Sequence, residues 1–164
     1  MSLQYPSIRI HPSGMQVAAD NVGGIALCLA FFAVAGYEGL VPERYSLLLV
    51  VIGFVVFACL VYRYVYVTRM VYVITEEQLK HEYGILSTHT DFIELYRVVD
   101  YSEQRSFLQQ LFGLKTISIY SGDRTCPKLD VIGVYGERDL IAEIRRRVEF
   151  NKTRRNIHEF TNTK

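Results

Sequence analysis

Tyr45 to Tyr62 reads YSLLLVVIGFVVFACLVY, a run without one charged side chain. A helix rises about 1.5 Å per residue, so a hydrocarbon core of about 30 Å takes roughly 20 apolar residues to cross, and this run with its flanks is long enough. Upstream, Val22 to Tyr37 reads VGGIALCLAFFAVAGY. It is shorter and must borrow from Val17, Ala18 and Ala19, which sets Asp20 and Asn21 near the headgroups. The segment between the runs, Glu38-Gly39-Leu40-Val41-Pro42-Glu43-Arg44, carries a glycine and a proline suited to a tight reversal. The expectation is a transmembrane hairpin over residues 17–67, with helices at about 17–37 and 45–66. Residues 1–16 form a segment before it.

The flanks fit that expectation. Tyr37 and Tyr45 suit one interface and Tyr62, Tyr64 and Tyr66 the other, where amphipathic rings settle. Arg63 can snorkel to the second interface. Gly23, Gly24, Ala26, Ala30 and Ala33, with Gly53 opposite, let two backbones approach closely. Three alternatives compete. Ala33-Val34-Ala35 before Gly36 imitates a signal-peptide cleavage site, but the preceding region is barely basic and Asp20 and Asn21 interrupt it. A buried hairpin in a soluble protein fails because the remaining chain is too small to cover both helices. A helix lying on the membrane needs a polar face, and Leu47 to Leu60 has none. Arg9, Arg63 and Arg69 outside the loop, against Arg44 within it, favour both termini in the cytoplasm of a multi-pass inner-membrane protein.

The 164-residue chain has a net charge of +1 and is 50% hydrophobic, so bulk charge does not point to nucleic acid. Three scattered cysteines (Cys28, Cys59, Cys126) make no disulfide framework or zinc site, and four scattered histidines show no metal-ligand spacing. From Met70 the apolar pattern turns from continuous to alternating. Strands are expected at Val71–Thr75, Leu79–Tyr83, Ile85–Thr90, Phe92–Tyr96, Val98–Ser102, Thr116–Tyr120 and Leu129–Val134. Their short connections suit an antiparallel meander. A short helix is expected over Ser106–Phe112, capped by Ser106 and stopped at Gly113. A longer one begins near Glu137, with Leu140, Ile141, Ile144 and Val148 as its apolar stripe. The simplest assembly is a curved sheet of about seven strands closed by that helix. It occupies residues 68–150, and 151–164 form a basic tail.

These residues resemble the bacterial pleckstrin-homology-like membrane proteins. The resemblance rests on Val73-Ile74-Thr75-Glu76-Glu77-Gln78-Leu79, on Glu82-Tyr83-Gly84-Ile85-Leu86, and on Ile93 to Asp100. Its most specific stretch is Gln104 to Ile117, QRSFLQQLFGLKTI, and Pro127-Lys128-Leu129 with the last helix completes it. It implies an α+β membrane protein: an N-terminal two-helix transmembrane hairpin, then a pleckstrin-homology-like antiparallel sheet or barrel with a C-terminal helix. It implies no catalytic role. Relatives that bind phosphoinositides use basic residues around the first hairpin; here Glu76 and Glu77 stand there, so inositol-phosphate recognition is not carried over.

Two groups of residues are candidates for function. Phe107, Leu108, Leu111 and Phe112 share helical spacing and make either core or an exposed patch that docks a partner or the bilayer. Arg145, Arg146, Arg147, Lys152, Arg154 and Arg155, with Lys164, oppose only Glu149 and Glu159, whereas residues 69–143 hold eight positive and twelve negative charges. Near an anionic leaflet each such cation contributes about 1 kcal/mol, so the tail is a candidate lipid contact; as a solvated helix end its arginines also suit the helix dipole. No nucleophile elbow, phosphate loop, dinucleotide fingerprint or zinc spacing appears, so no catalytic residue, cofactor or metal is expected. The expected function is a non-enzymatic adaptor anchored at the inner leaflet and presenting a protein-interaction surface. The alternative is a lipid-sensing or envelope-stress protein whose domain contacts anionic headgroups. The expected partners are the lipid bilayer and a membrane or cytoplasmic protein, or a second copy of the chain.

Overall fold

The computed structural model describes residues 5–155 apart from 38, 40 and 138. Two members of the expected reversal, Glu38 and Leu40, and the end of the basic tail from residue 156, with Lys164, lie outside the described residues.

The chain begins with strand β1 (Ile8–Ile10) and a short helix α1 (Met15–Asp20). Two apolar helices follow, α2 (Val22–Gly36) and α3 (Glu43–Arg69). They pack side by side where small residues allow it. Gly53 faces the Phe32 ring, the Cys28 thiol donates to the Gly53 carbonyl at 3.6 Å, and Phe32 meets Phe54 edge-on at 5.4 Å. Gly24 lies against Leu60, while Gly23 faces open space.

The two-span hairpin expected above is corrected here. Among the described residues only α3 is long and apolar enough to cross a membrane. The helix that was to borrow from Val17–Ala19 does not: at Asn21 the backbone leaves helical geometry (φ −122°, ψ 25°) and separates α1 from α2. What remains is 15 residues, about 22 Å at about 1.5 Å each, short of a hydrocarbon core of about 30 Å. The multi-pass assignment with both termini cytoplasmic falls with it. In α3 only 6% of the most apolar window is buried inside the protein, so the described residues leave its apolar surface uncovered.

Beyond α3 come β2 (Val71–Ile74), β3 (Gln78–Tyr83) and β4 (His89–Glu94), then a 3-10 turn at Leu95–Arg97 and β5 (Val98–Gln104). Helix α4 (Phe107–Leu111), β6 (Leu114–Ser121), β7 (Lys128–Tyr135) and α5 (Leu140–Arg154) complete the order. The expected single curved sheet or barrel is also corrected. The strands form two antiparallel sheets, β1-β2-β3-β4 and β5-β6-β7, and among the described residues no ladder joins them. The 3-10 turn gives the reason: it interrupts extended backbone between β4 and β5 and carries the chain from one sheet to the other. Residues 85–88, expected in a strand, instead belong to the β3–β4 turn. There Gly84 has φ +121° and a Cβ would strike the Ser87 carbonyl oxygen, so only glycine fits.

The core lies between the sheets. Tyr72, Ile74, Leu79, Ile93 and Leu95 face Ile117, Ile119, Leu129 and Val131, and α5 seals them with Leu140, Ile144 and Val148. The apolar stripe expected on that helix is buried as read, with Ile141 partly so. Tyr72 stitches the layers by donating its hydroxyl to the Asp130 carbonyl at 2.9 Å, and burial pushes its pKa up to about 12. The N-terminal strand was not foreseen. Ile8, Arg9 and Ile10 pair with Ile74, Val73 and Tyr72, so the segment before the apolar helices is part of the sheet that follows them.

Candidate interaction site

Helix α4 is short, and its N-terminus is held by side chains. Ser106 Oγ accepts from the Gln109 N–H at 3.2 Å while Gln109 Oε1 accepts from the Ser106 N–H at 2.9 Å, a reciprocal capping box. The Gln109 amide is buried and donates to Gln16 Oε1 on α1 (2.9 Å) and to Thr116 Oγ1 on β6 (2.8 Å). This inner face is polar and fixed, so the apolar residues at i and i+4 point outward. Phe107 is 80% exposed and Leu111 71%. Leu108 and Phe112, the other two candidates, are half-buried. The structure thus divides the expected cluster into an exposed pair and a supporting pair. Charges lie close in sequence. Buried Lys115 reaches Glu103 at 3.0 Å and Arg105 reaches it at 2.7 Å. The Lys115 hydrogen bond, foremost, holds the Glu103 carboxyl below its ordinary range.

The basic candidates are not brought together as one surface. Arg147 is fully buried. Its guanidinium donates to the carbonyls of Ile74, Thr75 and Pro6 at 2.8–3.2 Å, pairs with Glu143 at 3.0 Å, and lies over the Tyr5 ring. It is a clamp between α5, β2 and the N-terminal segment and is withdrawn from any lipid contact. Arg154 pairs with Glu77 at 3.0 Å and with Glu76 at 3.7 Å, and Arg155 lies 4.1 Å over the Tyr96 ring. The two glutamates that depart from the phosphoinositide pattern are therefore partners of the chain's own helix. Lys152 is half-buried, and Arg145 and Arg146 are exposed. The end of α5 sits at the Thr75–Gln78 turn, where Asn151 donates to the Glu76 carbonyl; α3 enters β2 from the opposite end.

A column of rings escaped the sequence reading. Tyr72, His81, Tyr83 and His89 stack in succession at 4.6, 4.7 and 5.6 Å along one face of the first sheet, running from buried Tyr72 out to exposed His89. The alternation that put Leu79 inside also puts His81 and Tyr83 on the same face of the strand, which is the signal that marked them. His81 Nε2 is buried with no partner, and desolvation lowers its pKa against the opposing pull of Asp91. A cavity of about 620 Å³ lies among Val17, Cys28, Phe57, Leu60 and Tyr64 where α1 meets the helix pair. Its wall is almost wholly apolar, which suits acyl chains better than a polar substrate. Among the described residues no group of three His, Cys, Asp or Glu side chains could hold a metal.

Two sheets sealed by an amphipathic last helix, with Phe107 and Leu111 exposed on a capped helical turn, define a domain of the pleckstrin-homology-like class. The family model described as "Bacterial PH domain" matches residues 23–160. The chain belongs to that family. The matched stretch runs from α2 through α3 and β2 to β7 to α5 but leaves out β1 and α1, and family membership agrees with a non-enzymatic domain. Comparison with curated proteins and with solved structures returns no match.

Proposed function

We propose that this PH-like domain is a membrane-anchored adaptor. Its anchor is α3, and its docking surface is the Phe107–Leu111 pair on α4. One observation carries this reading: two large apolar side chains one helical turn apart stay in water while the capping box and the Gln16–Gln109–Thr116 bonds hold the helix in place. Preorganised apolar anchors of this kind concentrate binding energy at interfaces. Anchoring adds effective concentration toward partners at the bilayer without any new contact.

Replacing Phe107 with aspartate tests it. Because the side chain is exposed, the thermal midpoint is expected to change little. A protein recovered in stoichiometric amount with the unaltered chain from mild detergent is expected to be lost from the variant. An unchanged set of co-purifying proteins would end the adaptor reading. The second reading, contact with anionic headgroups, is supported by exposed Arg145 and Arg146. It predicts vesicle binding that weakens with salt and is lost when both are changed to glutamine.

A further inference from the structure

We infer that the β3–β4 turn is a second, apolar bilayer contact that enters the lipid interface beside α3. This rests on the reading of α3 as a membrane anchor. Strand register places the turn: Val71 pairs with Glu82 and Tyr83 with His89, so residues 84–88 project past the start of β2, alongside the last turns of α3. The turn meets that helix at a recess of about 310 Å³ walled by Tyr62 and Tyr66 of α3 and by Tyr83, Ile85, Leu86 and His89. Tyr62 and Tyr66 are stacked at 6.4 Å, and such rings settle at the level of the headgroups.

Leu86 is fully exposed at the tip of the turn. Gly84 turns the chain at φ +121°, where a Cβ would strike the Ser87 carbonyl oxygen, so the tight turn that places Leu86 at its tip requires glycine. Its surroundings continue the exposed apolar surface of α3, where Val61 and Tyr62 are also uncovered. No lysine or arginine lines the recess, which removes phosphate recognition as the source of attraction. What fits an aromatic wall without lysine or arginine and bearing a protruding leucine is the boundary between headgroups and acyl chains.

The chain contains no tryptophan, so a single introduced one reports on its own. Leu86→Trp, Val51→Trp in α3 and Thr153→Trp at the far end of α5 are each placed in the full chain. Each is reconstituted into phosphatidylcholine–phosphatidylglycerol vesicles with lipids brominated near the top or the middle of their chains. The expected result is that Val51→Trp is quenched by mid-chain bromine, Leu86→Trp by shallow bromine with a blue-shifted emission, and Thr153→Trp by neither. If Val51→Trp is quenched while Leu86→Trp behaves like Thr153→Trp, the turn is in water and the inference is overturned with the anchor intact. If Val51→Trp is itself unquenched, the anchor reading fails and takes the inference with it.

Discussion

Arg147 shows how a residue type that signals solvent in a sequence becomes a core residue. Its five donors are matched by three backbone carbonyls and a carboxylate, and the charge is balanced by Glu143. Removing it strands those acceptors in a buried place. Arg147→Leu is expected to cost roughly 3 kcal/mol, read as a lowered unfolding midpoint of the full chain in detergent. Arg146→Leu, one position away and exposed, is the control and should change little. His81 makes a pH prediction. Its folded pKa lies below the ordinary 6.5, so the unfolded chain takes up a proton first as pH falls. Stability contributed by neutral His81 is intact above that value and declines as pH drops through it toward the lowered folded value. His81→Phe keeps a ring in the column and removes the proton site. Its thermal midpoint should vary less than the parent's between pH 7.5 and about pH 5. Neither role was read from the sequence, although each left a signal there: a run of Arg145, Arg146 and Arg147 does not by itself say which of the three turns inward. Helical geometry decides it: Arg147 falls three residues after Ile144 on the buried stripe.

At the level of elements, what was legible was whatever carried strong periodicity or punctuation. The Ser106 cap, the stop at Gly113, the Leu140–Val148 stripe and most strands follow from local chemistry. Misread boundaries came where a tertiary contact overrode a local pattern. Ile85–Ser87 has the β-branched and aliphatic character of a strand, but Gly84 turns the chain there. Asn21 divides a helix that hydropathy alone would join, and Arg63 donates to its side chain at 2.9 Å from across the helix pair. The packing of α2 on α3 depends on the missing side chain at Gly53. A Cβ there would stand 3.2 Å from the Phe32 ring, so a full leucine has no room. Gly53→Leu is expected to destabilise the pair by about 1–3 kcal/mol. Cysteine crosslinking between the two helices, or limited proteolysis in detergent, would register the separation.

For the molecule as a whole, the candidate site was half legible. The α4 cluster was marked by spacing, but whether it faced core or water depended on Gln16, 93 residues away from Gln109 in sequence. The N-terminal strand was hidden for the same reason, since it has only three residues and its partner β2 lies beyond both apolar helices. Deleting residues 1–10 tests its place in the fold. The deletion removes Ile10 from the core, the Pro6 carbonyl from Arg147, and the partner from the edge of β2. The expected loss is roughly 2–4 kcal/mol, with new protease sensitivity near Val71. A midpoint equal to that of the intact chain would show β1 to be dispensable.

The pairing of β1 with β2 also sets an order of events during synthesis. Ile8 leaves the ribosome 66 residues ahead of Ile74, its ladder partner, and every residue of both apolar helices is made in between. The first strand therefore waits, unpaired, until those helices have found their surroundings. Closure of that ladder reports that the helices have come to rest, and a nascent chain stalled before Ile74 would carry its opening strand as an open edge.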